Sequence, residues 1–503
     1  MRFSVAMAEE MHDRLCGHLA RRDGQEDLCF ALWYPSNGYS RTTALLSDVV
    51  LPVDGDRLVH GNAAFEAKYL LRALRMARAA GAGLAFLHSH PAPGWQGMSR
   101  PDVLAESGMA AMVWGATKQP LVGLTLGAAD RTWSARVWSR VRTRRFNRQW
   151  CESVRIVGGR LRVHYCEDLL PAPKPTRQQV RTVSAWGEKA QADLARLKVG
   201  VIGLGSVGSI VAEALVRTGV RALVLEDFDR AEELNRDRTL NLSAGDAKAR
   251  RPKVAAQTSE LREHATADSI RIEPLELSVC EDEGYRRALD CDVLFSCVDR
   301  PWPRSVLNFI AYSALIPVID GGLLASQTPS GRLRAADWKV HIAGAGRACL
   351  RCVEQFDAGL VQSERNGDFE DPKYIQGLAK DHPIRTRENV FAFSLGVASL
   401  EMCQFVLLTV GAGGRGAGRG QNYHLATGAI DPMKAACDED CEYPTYVARG
   451  DAAGHPGTGV HALAEETRSR SGSKVTRAWQ RLTNKAKRNK IDSVRRARTK
   501  RRS

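Results

Sequence analysis

The sequence predicts an α/β protein with two domains, a mixed α+β unit followed by a doubly wound parallel sheet. A chain of 503 residues is too long for one hydrophobic core, which stops growing at ~250 residues. Helical periodicity and short apolar strands mix in the first third of the chain, whereas strand and helix patterns alternate further on. Three prolines in residues 170–178 interrupt both patterns, since proline continues neither a helix nor a central strand. The predicted boundaries are 1–165 and 181–445 for the domains, 166–180 for the linker and 446–503 for a basic, partly disordered tail.

The composition is that of a globular protein, with 44% hydrophobic and 26% charged residues. No apolar run approaches the ~18 residues of a membrane span. The first residues also lack the apolar segment of ~7 to 15 residues that a secretory signal needs. We therefore expect a cytoplasmic protein that binds no membrane and whose 12 cysteines are mostly reduced.

The net charge of +15 is concentrated in residues 468–503, where Arg and Lys crowd the sequence. Such a tail can bind nucleic acid or an acidic partner by releasing counterions. The simpler interpretation is a solubilising extension, because basic segments are common and nothing in this one reads bases. Both interpretations stay open, and Trp479 and Leu482 indicate one short helix within the tail.

The first domain mixes both kinds of element. Helical periodicity spans residues 64–80, and apolar strands are predicted at residues 29–34 and 83–87. This mixture indicates an α+β unit.

Two histidines at the end of the second strand carry the first chemical motif. His88 and His90 stand in the sequence Phe-Leu-His-Ser-His-Pro, and side chains two apart on a strand point to the same side. Asp102, in Ser-Arg-Pro-Asp, follows closely enough to add an oxygen ligand. Two histidines and one carboxylate form a catalytic zinc site with a position left for water. The sequence therefore predicts zinc bound by His88, His90 and Asp102.

The combination of His-x-His-Pro and Ser-x-x-Asp resembles the JAMM/MPN (JAB) metalloprotease family. The resemblance implies a (iso)peptidase that cleaves the amide after a C-terminal glycine. It assigns Ser99 to stabilising the tetrahedral intermediate and an upstream glutamate to taking a proton from zinc-bound water. We place that general base at Glu26, with Glu9 and Glu10 as alternatives. A degenerate domain that keeps the fold without catalysis is the competing interpretation.

The second domain alternates strands and helices, which indicates βαβ units on a parallel sheet. The predicted strands are residues 198–202, 222–225, 293–297 and 318–319, and the first helix is residues 209–218.

A glycine-rich turn follows the first of these strands. Gly203, Gly205 and Gly208 form Gly-x-Gly-x-x-Gly, and the helix after such a turn points free N–H groups at a phosphate. Together with the acidic run that contains Asp227 and Asp229, this pattern also fits an NAD or FAD dehydrogenase. The turn alone therefore predicts a nucleotide but not which one.

The following segment decides between nucleotides. Asp-x-x-Glu-x-x-Asn-x-x-Arg, from Asp229 to Arg238, and then Arg-Pro-Lys253 resemble the ThiF/MoeB and ubiquitin-activating family. Further ordered blocks extend the resemblance over residues 181–444. These blocks contain Gly187, Gln191 and Leu194; Asp299, Arg304 and Asn308; and residues 316–322.

The resemblance implies adenylation of a protein's C-terminal glycine with ATP and Mg²⁺. Arg238 and Lys253 would supply positive charge to the phosphates, and Asp299 would anchor the metal. Arg181 would reach the nucleotide of a two-fold partner, which implies a homodimer. Read alone, Asn235 fits a helix cap and Lys253 a solvated charge equally well. The residues implied to bind ATP are Gly203, Gly205, Gly208, Asp227, Asp229, Asn235, Arg238, Lys253 and Asp299.

Two cysteine pairs predict a second metal site. Cys349 and Cys352 form one pair, and Cys437 and Cys441 form the other, which suits a closed structural zinc. Two unrelated pairs of free cysteines are the alternative. Between the pairs, Cys403 lies in an apolar helix and is expected in the core. The acyl-adenylate would then pass to a separate conjugating enzyme or sulfur donor.

These patterns lead to three functional hypotheses of different classes. The leading one is a bifunctional enzyme that processes and adenylates the C-terminus of a ubiquitin-like protein. The second is activation of a sulfur-carrier protein, in which the adenylate becomes a thiocarboxylate. The third is a scaffold without catalysis whose tail binds nucleic acid.

Overall fold

The computed structural model describes residues 2–60, 62–142, 145–328, 330–377 and 389–470, which fold around two large β-sheets. Residues 471–503 lie outside the described residues, and so does the short helix predicted around Trp479 and Leu482. The elements of each sheet are given in chain order below.

The first sheet is mixed and has nine strands in the order β11-β10-β1-β3-β2-β6-β7-β8-β9, while β4 and β5 form a separate hairpin. Parallel pairing joins β1 to β3 and β10, and β6 to β7. The strands are β1 (Arg2–Ala8), β2 (Leu28–Asn37), β3 (Arg41–Val50), β4 (Arg57–His60), β5 (Asn62–Phe65), β6 (Gly83–His90), β7 (Leu121–Gly127), β8 (Thr132–Arg142), β9 (Arg145–Trp150), β10 (Ser153–Val157) and β11 (Leu161–Tyr165).

Three helices accompany this sheet: α1 (Glu9–Leu19), α2 (Ala67–Ala79) and α3 (Arg100–Thr117). Apolar residues of α1 join the hydrophobic cluster on one face, and those of α2 and α3 join the cluster on the other. The helix predicted over residues 64–80 starts later, at Ala67, because the residues before it pair with β4 as strand β5.

The second sheet has eight strands in the order β14-β13-β12-β15-β16-β17-β18-β19. The first five are parallel to one another, and the last three are antiparallel. The strands are β12 (Lys198–Ile202), β13 (Ala222–Glu226), β14 (Arg271–Leu275), β15 (Val293–Ser296), β16 (Val318–Gln327), β17 (Leu333–Ala343), β18 (Gln421–His424) and β19 (Ala429–Pro432).

Helices pack on both faces of the parallel strands, as their two hydrophobic clusters show. Residues 222–225 and 293–297 were predicted as strands and form β13 and β15 within one residue, whereas β16 runs eight residues further than predicted. The helices are α4 (Val180–Trp186), α5 (Glu188–Arg196), α6 (Ser206–Thr218), α7 (Ala244–Ala249), α8 (Lys253–His264), α9 (Asp282–Ala288), α10 (Pro301–Ser313), α11 (Ala358–Arg365), α12 (Pro372–Gly377), α13 (Phe391–Thr409) and α14 (Ala462–Arg470).

Two predictions made from the sequence were wrong for helix α13. With 19 residues and a mean hydropathy of 1.7, it is long and apolar enough to cross a membrane, so the prediction that no apolar run approaches that length was wrong. It packs against α6, β16 and β17 and buries Glu401, as a core helix does. The prediction that Cys403 is buried was also wrong, because this thiol is exposed. Apolar residues lie all around the helix, and its polar residues Glu401 and Gln404 are buried, so its sequence did not show which face turns inward.

A buried ion cluster joins the two sheets. Asp292, just before β15, accepts hydrogen bonds from Arg41 of β3 at 2.7 Å and from Arg155 of β10 at 2.5 Å. The neighbouring Asp290 accepts hydrogen bonds from the backbone N–H groups of Ser40 and Arg41. These contacts dock the first sheet against the second through fully desolvated charges.

Candidate functional site

The glycine turn after β12 has a backbone conformation and close backbone contacts that require glycine. Gly203 has a φ of +89°, a backbone conformation that favours glycine. A Cβ on Gly208 would lie 1.9 Å from the carbonyl oxygen of Gly203, so only glycine fits there. Gly205 precedes the first residue of α6 and serves as its N-cap. The free N–H groups of α6 therefore lie directly at the carboxyl end of β12, where they can bind a phosphate.

Two carboxylates at the end of β13 have different tasks. The buried Asp227 accepts hydrogen bonds from the N–H groups of Leu204 and Asp229, both at 2.7 Å, and so ties the glycine turn to β13. The carboxylate of Asp229 is about half exposed and faces Lys253 at 2.8 Å. Asp229 is therefore the one of the two that is open to a ligand.

Lys253 is buried between these acids and is not a solvated surface charge. It is 7% exposed and stands at the N-terminus of α8, where the helix dipole disfavours a cation. Burial alone lowers the pKa of its ammonium group, but Asp227, Asp229 and Asp299 outweigh this effect and raise that pKa above its usual value. Lys253 therefore stays charged beside the glycine turn.

The remaining predicted residues differ in whether they lie near Lys253. Asp299 is exposed after β15 and close enough to act on Lys253. The side chain of Asn235 accepts a hydrogen bond from the N–H of Glu232 at 3.0 Å, which is the helix-cap arrangement. Arg238 donates to the carbonyl of Leu234 at 2.6 Å. Arg181 is exposed on α4. The structure thus brings the aspartates and Lys253 together and uses Asn235 and Arg238 locally.

Two polar residues at the glycine turn were missed by sequence reasoning. Gln257, one helical turn after Lys253, is fully buried and donates to the carbonyl of Leu204 at 2.9 Å. Asn389 donates to the hydroxyl of Ser206, the first residue of α6, at 2.6 Å. The spacing of four from Lys253 is a signal for Gln257, whereas Asn389 is distant in sequence and had none.

The four cysteines predicted to bind metal converge. Their sulfur atoms lie within 4.8 Å of one another, and the sulfurs of Cys349 and Cys441 are 3.7 Å apart. The edge of a tetrahedron with Zn–S bonds of ~2.3 Å is ~3.8 Å. Backbone N–H groups also point at the sulfurs, from Cys349 to Cys437 at 3.2 Å and from Cys352 to Cys349 at 3.3 Å. The cluster therefore fits a closed tetrahedral metal site.

The His88, His90 and Asp102 side chains also converge. Nε2 of His88 lies 3.6 Å from one oxygen of Asp102, and Nε2 of His90 lies 3.5 Å from the other. A tetrahedron with bonds of ~2.1 Å to nitrogen and oxygen has edges of ~3.4 Å. Burial, and next the charge of Arg136, lowers the pKa of His88 to about 3, so its imidazole is neutral as a metal ligand must be. The donor set fits a zinc ion.

Glu26 and Ser99, the two other residues predicted for this site, lie close to the cluster. Glu26 lies just before β2 with its carboxylate 3.9 Å from Nε2 of His90, and burial, with some contribution from Asp102, raises its pKa. Ser99 is the N-cap of α3 and forms a reciprocal capping box with Asp102. That box directs Asp102 towards the histidines. Glu9, the alternative base, instead accepts a hydrogen bond from the N–H of Gly159.

Comparison with known proteins identifies the family of the second sheet. The model of the ThiF family matches residues 176–442. This chain belongs to the ThiF family. The His88, His90 and Asp102 cluster precedes the matched residues. The family match therefore covers the second sheet and its glycine turn but not this cluster.

Several curated proteins are similar to parts of the chain. The tRNA threonylcarbamoyladenosine dehydratase of Escherichia coli (strain K12) is 26% identical over 189 residues, which are 37% of this chain and 68% of that protein. The sulfur carrier protein ThiS adenylyltransferase of Bacillus subtilis (strain 168) is 27% identical over 28% of this chain and 41% of its own length. The ubiquitin-like modifier-activating enzyme 5 of Drosophila virilis is 31% identical over 22% of this chain and 29% of its own. The chain thus spans less than half of the latter two proteins.

Among solved structures, that of E. coli MccB with MccA-N7isoASN is similar to this chain. It is 15% identical, covers 53% of this chain and 74% of its own, and has a TM-score of 0.42.

Glu226, at the end of β13, is an unusual buried acid in this ThiF-type sheet. Both of its carboxylate oxygens are buried and have no hydrogen-bond partner among the described residues. Burial, and next the charges of Glu281 and Asp227, raises its pKa to about 8. An acid whose pKa is raised on folding stabilises the fold most at low pH and loses that contribution as the pH rises through the folded value.

We therefore expect Glu226→Gln to remove a pH dependence of stability. Between pH 5 and pH 9 the wild type should lose about 2–4 kcal/mol of unfolding free energy that the glutamine variant retains. Urea unfolding at both pH values measures this difference. The matched control is Glu233→Gln on an exposed turn. Parallel loss of stability in the wild type and Glu226→Gln would show that Glu226 does not titrate in this range.

Proposed function

We propose that the ThiF-family half adenylates the C-terminal carboxylate of a small protein. The observation that carries this proposal is the buried ammonium of Lys253, held by Asp229 beside a glycine turn that can take phosphates. In the reaction, a carboxylate oxygen bonds to the α-phosphorus of ATP, and the bond from that phosphorus to the bridging oxygen breaks. Pyrophosphate leaves with its electron pair, and the acyl-adenylate remains.

The site contains charged side chains of the types that this reaction requires. Lys253 and Arg238 would balance the negative charge that develops on the phosphates, and Asp229 would accept hydrogen bonds from the ribose. Asp299, exposed beside Lys253, has the oxygen ligands that Mg²⁺ prefers. A bound Mg²⁺ would neutralise the leaving pyrophosphate.

The proposed substrate is a ubiquitin-like protein that ends in glycine. Support comes from the activating enzymes of ubiquitin-like modifiers among the relatives. A sulfur-carrier protein is the alternative substrate, and the ThiS adenylyltransferase of B. subtilis supports it equally. The chemistry up to the adenylate is the same for both.

ATP–pyrophosphate exchange tests the proposal. Purified protein is assayed with candidate small proteins that end in glycine, as wild type and as Asp299→Ala. Exchange that requires both the small protein and Asp299 supports adenylation, and the protein that elicits it names the substrate class. Silence with all candidates would contradict the proposal and leave the zinc peptidase of the first sheet as the remaining proposed activity.

A second activity is proposed for the first sheet, a zinc-dependent peptidase of the JAMM type that acts on the same glycine tail. Its support is the geometry of His88, His90 and Asp102, which fits a three-ligand zinc, with Glu26 next to it. Bound zinc would supply an activated water and polarise the scissile carbonyl. Glu26 would hold the proton in transit, and Ser99 would lie near the developing oxyanion.

Metal analysis tests both proposed zinc sites. We expect two zinc ions per chain by mass spectrometry of the purified protein. Asp102→Ala should contain one, and Cys349→Ala should also contain one and unfold at a lower temperature, since structural zinc contributes folding energy. Asp54→Ala, at an exposed turn, is the control. A count of two in Asp102→Ala would rule out the proposed peptidase site.

Other expectations stay predictions from the sequence. They are the homodimer in which Arg181 reaches the partner's nucleotide, a separate conjugating enzyme, a cytoplasmic location, and binding of nucleic acid or an acidic partner by the basic tail.

A further inference from the structure

A segment near the described C-terminus crosses the carboxyl end of the second sheet. We call residues 457–470 the C-terminal strap. Its backbone bonds to the loop after β14, from the N–H of Gly459 to the carbonyl of Cys280 at 2.8 Å. The indole of Trp302, at the start of α10, donates to the carbonyl of Gly457 at 2.8 Å. Arg468 binds the carboxylate of Glu281, with one contact at 2.8 Å.

An aromatic stack anchors the middle of the strap at the proposed nucleotide site. The ring of His461 lies 5.2 Å from that of Trp302 with nearly parallel planes, and 5.0 Å from that of Phe228. Phe228 stands between Asp227, which ties the glycine turn, and Asp229, which faces Lys253. His461 is largely buried in this position. The strap therefore contacts the loop that carries both aspartates.

The strand order shows which end of a bound nucleotide the strap would meet. The phosphates of a nucleotide lie at the N-terminus of α6, and the ribose lies at the acidic residues that follow β13. The ribose lies between the phosphates and the base. A nucleotide with its phosphates at α6 and its ribose at β13 therefore places its base on the far side of β13. The next strand on that side is the edge strand β14. The loops after β13 and β14 therefore flank the base, and both are in contact with the strap.

We propose that the C-terminal strap closes the base end of the nucleotide site and that His461 is the positioning residue that holds Phe228 against the base. This inference rests on the proposed adenylation. The strap's described contacts are with the loops after β13 and β14 and with Trp302 at the start of α10, and none is with the glycine turn or Lys253. We therefore expect it to raise the affinity for ATP through the base and not through the phosphates.

Nucleotide binding to the full-length protein tests the inference by calorimetry with ATP and with inorganic tripolyphosphate. His461→Ala should weaken ATP binding by at least about fivefold, since stacking on a base contributes about 1–3 kcal/mol. Binding of tripolyphosphate, which has no base, should not change. Val460→Ala is the matched control, because Val460 precedes His461 in the strap and its side chain is exposed.

Two truncations add a test that does not depend on one side chain. A chain that ends after Arg470 retains the strap and should bind ATP as the wild type does. A chain that ends after Pro456 should lose ATP affinity at least as strongly as His461→Ala, and thermal melting checks that it is folded. Unchanged ATP affinity in His461→Ala, or an equal loss of tripolyphosphate binding, would overturn the inference. A wild type that binds no ATP would instead refute the adenylation on which it rests.

Discussion

Replacing Asp292 by alanine is expected to lower the free energy of unfolding by about 3–5 kcal/mol, because it leaves two buried guanidinium groups without their counterion. Arg41 and Arg155 both donate to this carboxylate, and Arg155 has no exposed surface. Burial, and next the charge of Arg41, lowers the pKa of Arg155 to about 10 even with Asp292 present. The loss should be large since the same carboxylate also accepts the N–H of Lys198.

Urea unfolding at pH 7 measures this effect, with Asp282→Ala as the control. Asp282 forms a surface ion pair with Arg286 and is largely exposed, so its loss should cost less than about 1 kcal/mol. The sign of the pH dependence follows from Asp292 itself. Burial raises the pKa of its carboxyl, but Arg41 and Arg155 outweigh this and lower it below the usual 3.8. Its stabilisation is therefore present above pH ~4 and lost as the pH falls further. Equal stability of the two variants would contradict the cluster's role.

Replacing Lys253 by alanine is expected to reduce ATP–pyrophosphate exchange by about 10²–10³-fold, which is the usual cost of removing one preorganised group that stabilises charge in a transition state. The reason is its position. The ammonium is buried, charged and fixed by Asp229 at 2.8 Å, so little reorganisation is needed when charge develops on the phosphates. Water that replaced it would stabilise that charge far less.

The exchange rate at saturating ATP separates this effect from weaker binding. Lys248→Ala, in the last turn of α7, is the control because that lysine is exposed. Thermal melting of Lys253→Ala checks that Asp227 and Asp229, now without their cation, do not unfold the site. An exchange rate within threefold of the wild type would show that Lys253 does not act on the reacting phosphates.

Local motifs could be predicted from the sequence because their geometry depends on neighbouring residues. The glycine turn was predicted because three glycines with the spacing Gly-x-Gly-x-x-Gly follow an apolar strand. The structure adds the left-handed φ of Gly203 and the lack of room for a side chain at Gly208. His88 and His90 share one face since they are two apart on a strand.

Contacts between distant segments were decided only by the tertiary structure. Cys403 is exposed because α13 turns another face inward, and a helix with apolar residues on every side does not reveal that face. No local pattern distinguishes Asp292 from the other acidic residues of the sequence. The tertiary structure places Arg41 of β3 and Arg155 of β10 against its carboxylate.

The sequence by itself predicted the glycine turn of the ThiF-family domain and the residue types and local spacing of the two candidate metal sites, because these depend on backbone conformation over a few residues. Only the tertiary structure decided that Lys253 is buried between acids, that residues 457–470 cross the carboxyl end of the second sheet, and that the two sheets meet through buried charges. The physical reason is that burial and desolvation arise from the packing of segments that are distant in sequence, such as Arg41 and Asp292, which are 251 residues apart, and no local pattern encodes which segments meet.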